Sequence, residues 1–318
     1  MERNLALDAV RVTEAAALAS ARHMGRGDHV AADQAAVAAM RKAVDSIAIA
    51  GTIVIGEGPE DAMAMLYVGE GVGTGDGREA DVALDAIEGA AACATGGYNA
   101  MSVIALADRG SMLRVPDTYM EKIACGPAGR GVVDLDRSVA ENLAALAEAK
   151  GVHVRSLTVA ILDRPRHDQI IEDVRRAGAR IKLIHDGDVS AALATTRAET
   201  GIDILLGIGR APQGVLAAAA LKCLGGDLQA RFAPRNEFEA GQLRELGHFD
   251  TRRRFGLDEI VAGNVMLAAT GVTPGDYLAG VRYVQGGAIT NSIVMRSASK
   301  TVRLVEGHHH FEEEPEYG

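Results

Sequence analysis

The sequence predicts an α/β fold made of two subdomains, residues 1–155 and 156–318. Its 318 residues, 48% of them hydrophobic, suffice for one large or two moderate cores. In the first part, apolar residues recur at helical spacing and are followed by short β-branched runs between glycines. After about residue 155, short apolar runs alternate with helical patterns, and this alternation is typical of an α/β arrangement.

Two helices are predicted near the start of the chain. The first covers residues 5–24 and stops at the glycines of residues 25–27. The second runs from Ala32 to Ile49, and Asp33 lies one turn before its apolar stripe, on the same inward face. The stripe consists of Val37, Met40, Val44 and Ile47. An acid in the first turn interacts favourably with the helix dipole, but one that points inward is also a candidate for holding a cation.

Strands are predicted where β-branched or apolar runs are flanked by glycines. Thr52–Ile55 forms the first strand, and Glu57 follows it between two glycines. A glycine-rich loop, residues 69–77, leads to a second strand at Asp81–Leu84, which ends in the stretch Leu84–Ala92 with its two acids. Further strands are predicted at residues 102–106 and 119–124, and a helix at residues 138–149.

The second half repeats a strand-then-helix pattern three times. The strands are predicted at residues 157–162, 180–185 and 203–208, and the helices at residues 167–177, 189–196 and 214–224. Such a βαβαβα order predicts a mostly parallel sheet, in which ligands bind outside the carboxyl ends of the strands. Polar, turn-rich segments follow the three strands, at residues 164–167, 186–188 and 209–213.

Composition excludes several classes of function. The net charge of −10 argues against a nucleic-acid partner, because such proteins usually present a basic face. The three cysteines, at positions 93, 125 and 223, form no CxxC pair and predict buried thiols in a reducing cytoplasm. The sequence shows no run of 18 apolar residues and no signal peptide, so we expect a cytoplasmic protein with no membrane partner.

Four acids recur at the ends of elements and next to glycines. Asp33 opens a helix, Glu57 and Asp85 end strands, and Glu88 lies one turn beyond Asp85. Carboxylate oxygens are the ligands that Mg²⁺ and Mn²⁺ prefer, and two such ions can clamp a phosphate for attack by water. A basic cluster in the second half, Arg164 with Arg166 and His167, can grip a second phosphate. Singly, each acid is more often a turn former or a cap than a metal ligand.

The stretch Asp85–Ala90 (DAIEGA) resembles the D-P-I-E-G-T box of metal-dependent, lithium-sensitive sugar and inositol phosphatases. Seven further motifs narrow the resemblance to the class II fructose-1,6-bisphosphatases of the GlpX type, in order over nearly the whole chain. They are GRGDHVAAD (25–33), GTIVIGEG (51–58), PDTYMEK (116–122), RPRHD (164–168), DGD (186–188), GIGRAPQG (207–214) and ATGVTPGD (269–276).

The resemblance implies a layered αβαβα sandwich of the sugar-phosphatase type. The expected reaction removes the 1-phosphate of fructose 1,6-bisphosphate or of sedoheptulose 1,7-bisphosphate, with Mn²⁺ or Mg²⁺, in a homo-oligomer that is a dimer or a tetramer. The implied catalytic and metal-binding residues are Asp33, Glu57, Asp85 and Glu88, with Gln213 at a further metal-ligand position. The implied substrate-binding residues are Glu88, Gly89, Ala90, Tyr119, Arg164, Pro165, Arg166, Asp186, Gly187, Asp188 and Arg210.

The chain departs from the family pattern at five positions. Ala90 replaces a threonine expected to orient the attacking water, and Gln213 replaces a glutamate metal ligand; Arg210, His29 and Ala86 replace glycine, lysine and proline. Three interpretations follow. The first is a phosphatase of reduced or shifted activity. The second is a regulatory homologue that binds a sugar phosphate, and the third is an enzyme that performs a non-hydrolytic step on a phosphorylated sugar.

Overall fold

The computed structural model describes residues 5–59 and 64–311. In chain order its helices and strands are α1 (Leu5–Ala21), α2 (His29–Val44), β1 (Ile49–Ile55), β2 (Gly71–Val72), β3 (Arg78–Glu88), α3 (Ala90–Thr95), β4 (Met101–Asp108), β5 (Tyr119–Cys125), α4 (Val139–Lys150), β6 (Thr158–Leu162), α5 (Asp168–Ala177), β7 (Arg180–Ile184), α6 (Asp188–Ala194), β8 (Ile204–Arg210), α7 (Ala211–Leu224), β9 (Asp227–Phe232), α8 (Glu237–Glu245), β10 (Phe255–Gly256), α9 (Leu257–Ile260), β11 (Val265–Gly271), β12 (Arg282–Val284), β13 (Gly287–Arg296) and β14 (Thr301–His310).

The chain forms two compact units, one from Met1–Met112 with Gly263–Gly318 and the other from Leu113–Ala262. This division differs from the predicted boundary near residue 155. The last part of the chain returns to the first unit because β11 pairs with β4 along its whole length. β5 belongs to the second unit because it pairs with β8 and β9. Both pairings join segments far apart in sequence, which local periodicity does not reveal.

An eight-stranded sheet is the centre of the first unit. Its order is β12-β13-β11-β4-β3-β1-β2, with β14 paired to the other side of β13. β1 and β3 run parallel, whereas β3 is antiparallel to β4 and β4 to β11. α1 and α2 cover one face, and alternate strand residues pack under them, among them Val82, Leu84, Ile104 and Leu106.

Helix α2 begins earlier and ends earlier than predicted. The side chain of Asp28 caps it by accepting the backbone N–H of Ala31 over 2.9 Å, so the helix starts at His29. It ends at Val44 with Asp45 as its C-cap, and β1 begins at Ile49. The predicted stripe is buried, but Ile47 lies beyond the helix.

The second unit is built on a six-stranded sheet of order β10-β9-β5-β8-β6-β7. The pairs of β6 with β7 and with β8 are parallel, as the strand–helix alternation predicts. The prediction of a mostly parallel sheet is wrong, because β5 lies antiparallel between β8 and β9 and β10 adds another antiparallel pair. The α/β class is confirmed, and so are the three predicted helices, now α5, α6 and α7.

The three cysteines are free and buried, as predicted. No helix within residues 5–59 and 64–311 combines the length and apolar character needed to cross a bilayer.

Candidate active site

Glu57 lies two residues beyond β1, and Asp85 lies in the adjacent parallel strand β3, three residues before its end. Ile55 of β1 pairs with Ala83 of β3, and each acid stands two residues beyond that pair. The backbone N–H of Ala86 donates to Glu57 Oε1 over 2.9 Å, which holds this carboxylate against the backbone that follows Asp85. The parallel pairing therefore brings together two acids that are 28 positions apart in sequence.

A β-bulge brings Glu88 to the face of Asp85. Asp85 lies opposite Val103 and Glu88 opposite Met101, so three steps along β3 match two steps along β4. Val103 and Met101 share a face of the sheet, and their two partners do so as well. In a regular strand a spacing of three would place the two acids on opposite faces.

Gly89 turns the chain from β3 into helix α3. Its φ of 88° is in the left-handed region, which a side chain rarely adopts. A Cβ at this position would also stand 3.3 Å from the Cα of Ala100. Ala90 is the first residue of α3, and its methyl group packs half-buried against the core of the unit. This side chain has no hydroxyl with which to orient a water.

Asp33 lies in the second turn of α2, the helix that packs on β3 and α3. Its side chain is half-buried, next to the buried Ala32 in the sequence. Burial raises the pKa of Asp33, while the nearby His29 acts in the opposite direction. The predicted inward orientation is thus only partly realised.

The acids of the first unit offer oxygen donors, the chemistry that fits a hard divalent cation. Glu57, Asp85 and Glu88 share the carboxyl ends of β1 and β3, whereas Asp33 is on the covering helix. Among residues 5–59 and 64–311, no three His, Cys, Asp or Glu side chains come close enough together to form a metal-binding group. Gln213 is in the second unit, half-buried in the first turn of α7.

In the second unit, Tyr119 at the start of β5 lies opposite Arg210 at the end of β8. The Arg210 side chain is exposed and binds Asp117, with Nε 2.9 Å and Nη2 2.8 Å from Asp117 Oδ1. An arginine at a position where the family pattern has glycine is therefore tethered to the loop before β5.

Asp188 is buried and forms an ion pair with Lys122, a residue that the sequence analysis did not single out. Lys122 Nζ also donates to the carbonyl oxygen of Arg210 over 3.1 Å, so it ties β5 to the start of α6 and the end of β8. Gly209 leaves room for this pair, because a Cβ there would stand 2.0 Å from Asp188 Oδ2.

Asp186 and Gly187 form the turn that precedes Asp188. The Gly187 N–H donates to Asp186 Oδ1 over 3.0 Å, and Gly187 has a φ of 92°. Burial raises the pKa of Asp186, and the neighbouring Asp188 carboxylate adds to the rise.

Arg164 and Arg166, which follow β6, donate hydrogen bonds to backbone carbonyl oxygens. Arg164 donates to the carbonyl oxygens of Asp163 over 2.8 Å and of His185 over 2.6 Å. Pro165 opens a short 3-10 turn. Arg166 Nε donates to Ile208 O over 2.9 Å, and the Arg166 guanidinium carbon lies 4.8 Å from the centroid of the Tyr119 ring.

His167 does not join this basic cluster, contrary to the prediction. Its ring is fully buried, with Nδ1 2.7 Å from Leu162 O and Nε2 2.7 Å from the N–H of Ile208. A carbonyl can only accept and an amide N–H can only donate, so the imidazole is neutral with its proton on Nδ1. Burial lowers the pKa of His167, which favours the same state. His167 therefore braces the ends of β6 and β8 and does not bind phosphate.

Arg235 and Glu239 were also missed by the sequence analysis. The Arg235 guanidinium carbon lies 4.4 Å from the Tyr119 ring centroid, and the buried Glu239 pairs with this arginine. Only the antiparallel pairing of β9 with β5 brings residue 235 close to residue 119, and no local pattern predicts that pairing.

Comparison with known proteins places the chain among phosphatases. The family described as bacterial fructose-1,6-bisphosphatase, glpX-encoded, matches residues 3–309. A D-fructose 1,6-bisphosphatase class 2/sedoheptulose 1,7-bisphosphatase of Synechococcus elongatus is 41% identical over 338 residues, covering 98% of each chain. The protein of the same description from Crocosphaera subtropica is 42% identical over 342 residues, covering 100% of this chain and 99% of the relative.

Proposed function

Because this chain belongs to the GlpX-type family of class II fructose-1,6-bisphosphatases, we propose that it hydrolyses a phosphate ester of a sugar bisphosphate. Fructose 1,6-bisphosphate and sedoheptulose 1,7-bisphosphate are the substrates that the descriptions of its relatives suggest. The observation that carries the proposal is the β-bulge between Asp85 and Glu88. It places both acids on one face of β3, and Glu57 follows β1, the parallel strand paired with β3.

Class II fructose-1,6-bisphosphatases depend on a divalent metal ion. We propose that Glu57, Asp85 and Glu88, with Asp33, hold Mg²⁺ or Mn²⁺, and that Gln213 offers a neutral oxygen where the family pattern has a carboxylate. The bound ion supplies positive charge to the phosphate oxygens in the transition state.

Other groups of the chain are proposed to accept a proton from the attacking water and to hold the leaving phosphate. Asp33, half-buried on α2, is the proposed acceptor for the proton of the attacking water, since Ala90 brings no hydroxyl for this task. The backbone of Glu88, Gly89 and Ala90 is proposed to hold the phosphate that leaves, because these residues form the turn from β3 into α3 directly after Asp85.

Further substrate-binding residues are proposed within the second unit. Arg164 and Arg166 offer guanidinium groups for the phosphate that is retained, and Tyr119 supports Arg166. Asp186 and Asp188 are proposed to accept hydrogen bonds from sugar hydroxyls, with Pro165 and Gly187 fixing the turns that carry these groups. Arg210, tethered to Asp117, borders this region and is proposed to influence which sugar is accepted.

The replacements at Ala90 and Gln213 support a second candidate function. A protein that binds a sugar phosphate without hydrolysing it, as a regulatory homologue or as a catalyst of another step, needs neither a water-orienting hydroxyl nor a full metal charge. Loss of general-base assistance alone typically lowers a rate by ~10²–10⁴-fold. We therefore propose a reduced rate of hydrolysis as the first candidate and non-hydrolytic use of the same site as the second.

Phosphate release from a panel of sugar bisphosphates and monophosphates, with Mn²⁺ or Mg²⁺ present, distinguishes the two candidates. Release from at least one bisphosphate, abolished by a chelator, supports the first. Binding of a bisphosphate by calorimetry with no release over hours supports the second. A homo-oligomer, dimer or tetramer, and a cytoplasmic location stay predictions from the resemblance and the composition.

A further inference from the structure

Two arginines from distant parts of the second unit meet at one aromatic ring. β9 ends at Phe232 opposite Met120 of β5, and the next N–H, that of Ala233, donates to the carbonyl oxygen of Tyr119 over 2.8 Å. The chain then brings Arg235 to within 4.4 Å of the Tyr119 ring centroid, measured from its guanidinium carbon. Arg166, arriving from the end of β6, lies 4.8 Å from the same centroid.

Glu239 fixes the position of Arg235. Arg235 Nε and Nη2 each lie 2.5 Å from Glu239 Oε1, and the Arg235 backbone N–H donates to Oε2 over 2.8 Å. The hydroxyl of Thr118, the neighbour of Tyr119, donates to Oε2 over 2.9 Å, so one carboxylate ties both segments together. The Glu239 side chain is only 4% exposed. Burial opposes ionisation, but the hydrogen bonds from Arg235 and Thr118 outweigh it and lower the pKa of Glu239.

The Arg235 side chain is thus ordered in advance while its outer edge faces solvent. A guanidinium has five N–H donors, of which Glu239 engages Nε–H and one on Nη2, and the side chain is 48% exposed. Arg166 is exposed as well, and its acceptor, Ile208 O, carries no full charge that would neutralise it. The two guanidinium groups at this ring carry the positive charge and the N–H donors that bind a phosphate.

We propose that Arg235 is the second arm of a clamp for the phosphate that the enzyme does not remove, and that it shares this phosphate with Arg166. The proposal rests on the proposed function, because it assigns specificity to the same site. Glu239 is then a positioning residue that keeps Arg235 directed at Tyr119. The consequence is a preference for sugar bisphosphates over monophosphates that carry only the phosphate to be removed.

Calorimetric titration with fructose 6-phosphate tests the clamp without turnover, because this probe carries only the phosphate that is retained. We expect Arg235→Met to weaken binding at least ~10-fold, the loss of about one charge-assisted contact. Arg166→Met should have a similar effect. Arg244→Met is the matched control, because Arg244 belongs to the same region, is exposed and pairs with Glu237 in α8. This variant should bind fructose 6-phosphate as tightly as the unmutated protein does.

In the double variant Arg166→Met/Arg235→Met, the affinity for fructose 6-phosphate should fall by less than the product of the two single-variant factors, because both groups are proposed to bind one phosphate. If the methionine variant fails to fold, Arg235→Gln, which can still donate to Glu239, serves in its place. Steady-state kinetics with fructose 1,6-bisphosphate should show a raised KM with kcat within ~2-fold, the pattern of lost uniform binding.

Two outcomes overturn the clamp. One is a folded Arg235→Met protein that binds fructose 6-phosphate as tightly as the unmutated protein, and the other is no binding of this probe by the unmutated protein. Failure of the proposed function looks different: the unmutated protein binds fructose 6-phosphate and needs Arg235 for it, yet releases no phosphate from any bisphosphate. That result supports the clamp and overturns hydrolysis.

Discussion

The backbone N–H of Ala86 donates a hydrogen bond of 2.9 Å to Glu57 Oε1 and so joins the ends of two parallel strands. The family pattern has proline at position 86, and proline has no N–H to donate. In this chain, therefore, an oxygen proposed for metal binding also accepts a backbone donor that the family pattern lacks.

Restoring the proline tests this competition. Ala86→Pro removes the donor, and proline is tolerated at bulges of a strand, so we expect Mn²⁺ to bind more tightly by up to ~10-fold. Calorimetric titration with Mn²⁺ measures the change. Ala86→Gly keeps the N–H and is the matched control. Unchanged or weaker metal binding in the proline variant, with an intact fold, would show that the hydrogen bond does not compete with the metal.

Restoring the two missing groups of the family pattern should accelerate hydrolysis. Ala90→Thr supplies a hydroxyl at the start of α3, and Gln213→Glu supplies a carboxylate at the start of α7. If both groups serve one step, as proposed, the double variant should exceed the product of the singles and reach a rise of ~10² or more in phosphate release. If release stays at the level of the unmutated protein while metal binding persists, the site is adapted to another reaction, and Arg210 becomes the next residue to exchange for glycine.

His167 gives the folded protein a defined sensitivity to acid. Burial lowers the pKa of His167, so at moderately acidic pH the unfolded chain binds a proton that the folded protein does not. Its contribution to stability is therefore complete above the ordinary histidine pKa of about 6.5 and falls as the pH drops below it, by at most ~1.4 kcal/mol per pH unit.

Urea unfolding between about pH 7.5 and 5.5 measures this contribution. The unmutated protein should lose more free energy of unfolding over this range than His167→Gln, whose side chain does not titrate. The variant itself should be less stable at neutral pH, because one of two backbone hydrogen bonds is lost. Equal slopes in the two proteins would mean that His167 titrates alike in the folded and unfolded states.

The sequence predicted those parts of the site that depend on local pattern. The β-branched run followed by glycine located the end of β1, and with it Glu57, whereas β3 continues past its predicted end at Leu84 and takes in Asp85 and Glu88. The common face of Asp85 and Glu88 was not predictable, because it depends on a bulge that appears only when β4 is paired with β3. The roles of His167 and Arg235 were missed for a related reason: backbone partners on β6 and β8 orient the first, and an antiparallel neighbour positions the second.

Phosphate release from fructose 1,6-bisphosphate, followed after metal removal and after return of Mn²⁺ or Mg²⁺, tests most directly whether the acids at the ends of β1 and β3 support metal-dependent hydrolysis. The unmutated protein should release phosphate only with metal. Asp85→Asn should reduce the rate at matched metal concentration by at least ~10-fold, since even outer partners of a metal site contribute that much. Asp76→Asn, in the exposed loop before β3, should leave it unchanged. Release that continues without metal, or that is equal in the two variants, would contradict this assignment.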